Sequence, residues 1–176
     1  MTKTSPAGER RGTVQGPAGT AMRYRDRIYD DKQHDPYHAS GKYVEPTRCG
    51  TCGLVYHRGR WQQGEAPATG NVAACPACRR IADKLPTGVL TLAGAFVAAH
   101  RADLVHLVRN EAERERTDHP LHRLMTLEEE PARVVVTTTD IHLPRRIGEA
   151  LKHAYDGELD VKFGADEYTV RVDWRR

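Results

Sequence analysis

All four cysteines of the chain fall in one stretch, as two pairs: Cys49-x2-Cys52 in "CGTCG" and Cys75-x2-Cys78 in "CPAC", with twenty-two residues between the pairs. A two-residue gap lets one tight turn aim two thiolates at one ion, and zinc takes four such donors at tetrahedral corners, each ~2.3 Å away. Gly53, after the second cysteine, permits the close backbone approach of a knuckle, and Pro76 rigidifies the second turn. Two knuckles about twenty residues apart define a zinc ribbon. A redox pair needs only one CxxC beside a βαβ pattern, and two disulfides suit a secreted chain; neither context is visible. The expected cofactor is one structural zinc ion held by Cys49, Cys52, Cys75 and Cys78. With four protein sulfurs, no coordination position is left for a reacting water.

Charge is unevenly placed. Residues 1–48 carry nine Lys/Arg against six Asp/Glu, residues 49–86 five against two, and residues 87–176 thirteen against sixteen. The front half is net positive and the back half net negative. Such asymmetry points to a polyanion partner for the front half, or to a basic solvated tail. Mean hydropathy is −0.66, and no apolar run approaches the ~20 residues of a membrane helix. The N-terminus "MTKTSPAGERRG" has no apolar signal core, so the expected location is cytoplasmic, without a membrane.

Four segments follow from the composition. Residues 1–22, rich in Gly, Pro, Ser, Thr and Ala, read as a disordered tail. Residues 23–46 interleave arginine and tyrosine and read as an extended basic arm with little to build a core. Residues 47–86 are the ribbon. Residues 87–176 read as an α+β domain. There, "TGVLTLAG" (87–94) is a strand, "FVAAHRADLVHLVRNEAERER" (96–116) an amphipathic helix, and "LHRLMTLEE" and "ARVVVTTT" two strands. Asp140 caps a second helix with Pro144 in its first turn and Leu143, Ile147, Ala150, Leu151, Ala154 and Tyr155 on its apolar face; Gly157 stops it. "ELDVKFG" and "EYTVRVDW" form a hairpin turning near 164–166. The expected order is β-α-β-β-α-β-β, with helices on one face of a mainly antiparallel sheet.

The strand after the first knuckle presents Tyr56, Arg58, Arg60 and Trp61, and Arg79 and Arg80 follow the second knuckle. Arginines beside flat rings can hold phosphates and stack on exposed bases. Alternatively, Leu54, Tyr56 and Trp61 form a small core over the metal and the arginines are merely solvated. The candidate RNA contacts are Arg23, Arg25, Arg27, Lys42, Tyr43, Arg48, Tyr56, Arg58, Arg60, Trp61, Arg79 and Arg80. In "HDPYH", the Asp35-Pro36 step sets a turn, with His34 and His38 as surface groups beside Tyr37. His100, His106, His119, His122, His142 and His153 are scattered and expected to cap or line surfaces; Asp140 and His142 can bond locally. No phosphate loop, G-x-S-x-G or HExxH is present.

The stretches "HDPYHASGKYVEPTRCGTCGLVYHRGRW", "CPACRRIADKLPTGVLTLAGAF", "HPLHRL" and "TTTDIHLPRRIGEALKHAYDGEL…VRVDW" together resemble a small bacterial family of uncharacterised zinc-ribbon proteins, from about Arg23 to Arg176. The ribbon is also distantly similar to the zinc-binding region of the archaeal and eukaryotic adaptor that escorts the large ribosomal subunit for export. That region of the adaptor carries more metal-binding cysteines than the four here, so only Cys49, Cys52, Cys75 and Cys78 correspond. The similarity implies a ribosomal setting, which neither spacing nor charge indicates.

The expectation is a ribosome-associated, non-enzymatic zinc-ribbon protein. Its arm and ribbon bind ribosomal RNA and its α+β domain meets ribosomal protein, with stress, dormancy or ribosome hibernation as the setting. No small-molecule substrate is expected. A zinc-stapled protein–protein adaptor that does not bind RNA is the alternative; an enzyme using Asp140 and His142 is a third reading.

Overall fold

The computed structural model describes residues 35–37, 43–65, 69–164 and 168–176. The proposed tail, and most of the arm with Arg23, Arg25, Arg27 and Lys42, lie outside the described residues. Among the described residues it is a mixed α+β structure with three helices and two sheets.

The ribbon opens with β1 (Thr47–Arg48), β2 (Val55–His57) and β3 (Arg60–Gln62), and β4 (Asn71–Val72) pairs parallel to β1. The sheet order is β3-β2-β1-β4. Thr47 faces Tyr56 and Tyr56 faces Trp61 across the antiparallel ladder, so these three share one side. By the alternation of strand side chains, Arg48 and Arg60 lie on the other side.

The second knuckle departs from the sequence expectation of a simple turn. It is the first turn of helix α1 (Pro76–Asp83), with Cys75 as N-cap and Pro76 inside the start. Proline there loses nothing, since its missing N–H is one that a helix start leaves unpaired anyway. Lys84, at φ 55°, ends the helix in the left-handed conformation, and its N–H donates to Ile81 O at 3.2 Å.

Beyond the ribbon come β5 (Gly88–Ala93), α2 (Ala95–Asp118), β6 (Leu124–Glu130), β7 (Arg133–Thr138), α3 (His142–Tyr155), β8 (Glu158–Phe163) and β9 (Val170–Arg175). The sheet order is β6-β7-β5-β9-β8; its neighbours are antiparallel except β5 with β9. Period-2 alternation in β5, β7 and β9 puts Leu90, Leu92, Val134, Val136, Val170, Val172 and Trp174 in one core with Val97, Leu104 and Val108 of α2 and Leu143, Ile147 and Leu151 of α3. The opposite face carries rows of exposed and half-buried residues, such as Glu128–Val135–Thr91–Asp173–Asp160 across all five strands.

Asp140 caps α3 through its side chain: Oδ1 accepts from the N–H of His142 at 2.7 Å and of Leu143 at 2.9 Å. Gly88 is required at the start of β5, because a Cβ there would lie 2.3 Å from Thr138 Oγ1 and 2.6 Å from the Asp140 carbonyl oxygen. No helix among the described residues is long and apolar enough to cross a membrane.

Candidate metal centre and the ribbon surface

The β1–β2 turn and the start of α1 bring the four cysteines together. Their sulfurs all lie within 4.8 Å of one another. The Cys52 and Cys75 sulfurs are 3.7 Å apart, and a tetrahedron with ~2.3 Å metal–sulfur bonds has edges of ~3.8 Å. The four residues are therefore close enough to hold a metal ion such as zinc. Gly53 closes the first knuckle at φ 78°, donating its N–H to Cys49 O at 3.0 Å, while Cys49 N–H donates to Leu54 O at 2.7 Å.

The backbone is arranged to favour thiolates. Cys75 N–H donates to Cys49 Sγ at 3.3 Å and Cys78 N–H to Cys75 Sγ at 3.5 Å. Burial works against ionisation of Cys49, yet the backbone N–H groups of Cys75, Cys52 and Thr51 outweigh it and bring that thiol down to about 6. Burial pushes the Cys75 and Cys78 thiols up. Four thiols packed so tightly oppose one another's ionisation unless a cation sits among them.

One residue of the centre carries no cysteine-like signal in the sequence. Arg123, between α2 and β6, donates from Nη2 to Cys52 Sγ at 3.2 Å and from Nη1 to Cys78 Sγ at 3.4 Å. Its Nε donates to Pro120 O at 2.8 Å, and its backbone N–H to Thr139 Oγ1 at 2.9 Å. Burial disfavours the charged guanidinium, but the hydrogen bond to Cys52 and the neighbouring sulfurs hold its pKa above the ordinary value. Arg123 stands in "HPLHRL", where nothing local distinguishes it from a surface arginine; only the fold brings it to residues 45 and 71 positions away.

The aromatic residues are the ribbon's core. Tyr43, Tyr56 and Trp61 form a mutually packed trio with ring centroids 5.0–5.5 Å apart. Tyr56 and Trp61 are each only 7 % exposed and pack with Leu54 and the cysteines. This corrects their assignment as base-stacking residues: with four cysteines and few aliphatics, the segment uses its rings to cover the cysteine cluster. Tyr43 is half-buried against both.

Arg80 is a second correction. It is 4 % exposed, ion-paired with Asp35, and donates to Leu85 O at 3.3 Å. Its guanidinium lies 4.4 Å from the centroid of the Tyr37 ring, so it has no face for a phosphate. The same contacts revise the reading of residues 35–37. Asp35 and Tyr37 pack on α1, with Tyr37 Oη donating to Asp83 at 2.6 Å, where the sequence suggested an arm with little to bury.

Arg48, Arg58, Arg60 and Arg79 are exposed. Arg58 and Gly59 form the tip of the β2–β3 hairpin, and the Glu45 carboxylate accepts both of their N–H groups at 2.8 Å. The positive φ of both residues, 52° and 76°, suits such a tight primed turn. Arg48 and Arg60 share the side opposite the aromatic trio. No family model, curated protein or solved structure matches this chain.

Proposed function

We propose that the protein is a non-enzymatic RNA-binding zinc-ribbon protein of the cytoplasm, and that its RNA is ribosomal. The observation that carries this reading is the set of exposed arginines held on the ribbon: Arg48, Arg58 and Arg60, with Arg79 on α1. The Glu45 anchor fixes the hairpin tip, so Arg58 is presented by a preorganised turn. The basic balance of residues 1–86 supplies further charge from the arm, where Arg23, Arg25, Arg27 and Lys42 would add phosphate contacts. One structural zinc ion at the four cysteines staples the segment, which has too few apolar residues to fold alone. Such a centre bears two negative charges, four thiolates around a divalent ion. Arg123 and the backbone N–H groups offset them.

With the rings buried, recognition rests on phosphate charge and backbone shape more than on base stacking. The ribosome is favoured over other RNAs by the resemblance of the ribbon to the subunit-export adaptor; a role in stress or hibernation belongs to the same proposal. Ribosomal proteins would meet the α+β domain. The second reading, a protein–protein adaptor, is supported by the polar outer face of the five-stranded sheet.

Sucrose-gradient sedimentation of lysate containing tagged protein, at low and moderate salt and with or without RNase, tests the reading. Co-migration with a ribosomal subunit or whole ribosomes that is lost on RNase treatment and weakens with salt is the expected result. Protein that stays at the top of every gradient overturns it. Association that survives both treatments favours the adaptor.

A further inference from the structure

Three of the histidines that look scattered in the sequence gather at one place. The rings of His119 and His122 stack with centroids 4.8 Å apart, and His142 stacks on His122 at 5.6 Å. Beneath them are two buried carboxylates, Glu115 from the last turn of α2 and Asp140 from the cap of α3, at 4 % and 5 % exposure. Glu115 Oε1 is 2.9 Å from His122 Nδ1 and 3.8 Å from His119 Nε2. The group borders an open pocket of about 330 Å³ that is also lined by Arg145, Arg146 and Glu149.

We infer that Glu115, His119 and His122 form a second metal site, for a divalent transition ion such as zinc, separate from the four cysteines. Three ligand atoms from these residues lie within 4.8 Å of one another. Imidazole and carboxylate donors at ~2.0–2.2 Å from a tetrahedral zinc would stand ~3.4 Å apart; the 2.9 and 3.8 Å separations bracket that spacing, and the ion would take the place of the proton in the His122 Nδ1–Glu115 Oε1 hydrogen bond. Glu115, in the last turn of α2, and His119, its C-cap, are four residues apart, a spacing that brings two side chains to the same side of the helix end. The stacked rings must turn slightly to aim both nitrogens at one ion, which costs affinity.

The buried charge at this place is compensated only in part by the protein's own groups. Two carboxylates sit in one protein interior, where an uncompensated charge is expensive. Arg146 forms an ion pair with Glu115 Oε2 without hydrogen-bond geometry. It pairs with Oε2, while Oε1 shares a hydrogen bond with His122 Nδ1. Asp140 Oδ2 is buried without a hydrogen-bond partner, although Oδ1 caps α3. Asp140 Oδ1 lies 3.7 Å from His122 Nδ1, the same nitrogen that faces Glu115, so Asp140 borders the site and adds negative charge beside it. Three protein ligands leave a fourth position open toward the pocket, in contrast to the closed sulfur site.

The test uses the full chain with its cysteine centre already loaded, titrated with zinc or cobalt alone, by equilibrium dialysis with metal analysis and by absorption spectroscopy. The inference expects a second saturable equivalent whose cobalt spectrum has d–d bands without added sulfur-to-metal charge transfer. His119→Ala, at a half-exposed position, and Glu115→Gln should each weaken that equivalent by more than the ~10–100-fold that loss of an outer partner brings, with the cysteine-bound equivalent retained. Thermal melts without added metal identify the variants that remain folded; His119→Ala suffices if Glu115→Gln is not among them. A stoichiometry that stops at the cysteine centre, or a second equivalent undiminished in folded His119→Ala, overturns the inference. Neither result bears on RNA binding.

Discussion

Arg123 Nη2 donates to Cys52 Sγ across 3.2 Å, linking the loop before β6 to the first knuckle of the ribbon. The second guanidinium nitrogen reaches Cys78, so one side chain touches both cysteine pairs. Thr139, which follows β7, fixes the loop from below, accepting from Arg123 N–H and donating to Leu121 O at 2.7 Å. The contact is therefore a joint between ribbon and sheet as well as a charge partner for the metal centre. Hydrogen bonds to charged groups contribute ~1.5–3 kcal/mol each, so losing both guanidinium–sulfur bonds in Arg123→Ala should lower the unfolding free energy by roughly 3 kcal/mol or more. It should also speed metal loss to a colorimetric chelator. Arg123→Lys, which offers a point charge in place of a fork, should fall between. Unchanged release rates in both variants would remove Arg123 from the centre.

Aromatic and basic residues of the ribbon should separate cleanly. Trp61→Ala removes a buried ring and is expected to cost ~3–5 kcal/mol, with any loss of RNA binding following the unfolded fraction. Replacing Arg58 and Arg60 together by alanine should leave stability within ~0.5 kcal/mol per site. It should weaken RNA binding and lower the slope of log affinity against log salt by about 2. An unaltered slope in a folded double variant would take the hairpin out of the interface.

Asp35 is the counter-charge of a nearly buried arginine. Asp35→Ala leaves the Arg80 guanidinium in the interior beside Tyr37 without its partner, and removing one member of such a pair costs ~3–5 kcal/mol. Arg80→Met in the same background should recover much of the loss, because it removes the stranded charge and keeps the packing. Chemical denaturation of the two variants and the parent checks this. Equal stability of Asp35→Ala and the parent would mean that the pair is not formed in solution.

Metal removal should act on one half of the molecule. The ribbon core, with Tyr56 and Trp61, and the sheet core, with Trp174, are separate clusters. The two tryptophans of the chain thus report separately. Chelation, or Cys52→Ser, should red-shift the emission of Trp61 in a Trp174→Phe background, while Trp174 in a Trp61→Phe background stays buried. Loss of both signals together would show that the sheet depends on the ribbon.

Much of this protein is legible in its local chemistry. The cysteine spacing points to their meeting: a two-residue gap with glycine after it sets the first knuckle, while the second is built by a helix start at Cys75-Pro76. The alternation in "GVLTLA" and "RVVVTT" marks the buried face of β5 and β7, and Asp140 announces the start of α3, because strand periodicity and capping act over a few residues. The tertiary structure alone settled which side of the ribbon's rings and charges faces the solvent. "LVYHRGRW" reads equally well as a stacking strand or as a small core, and the choice depends on the area left to cover around the cysteines. The pairing of Arg80 with Asp35, of Arg123 with two sulfurs, and of Glu115 and His122 with Arg146 and Asp140 depends on long chain closures or on the packing of α2 against α3, whereas Glu115 and His119 are four residues apart in the sequence itself. Such contacts leave no periodic trace, because electrostatic and metal-ligand partners need to be near in space and not in sequence.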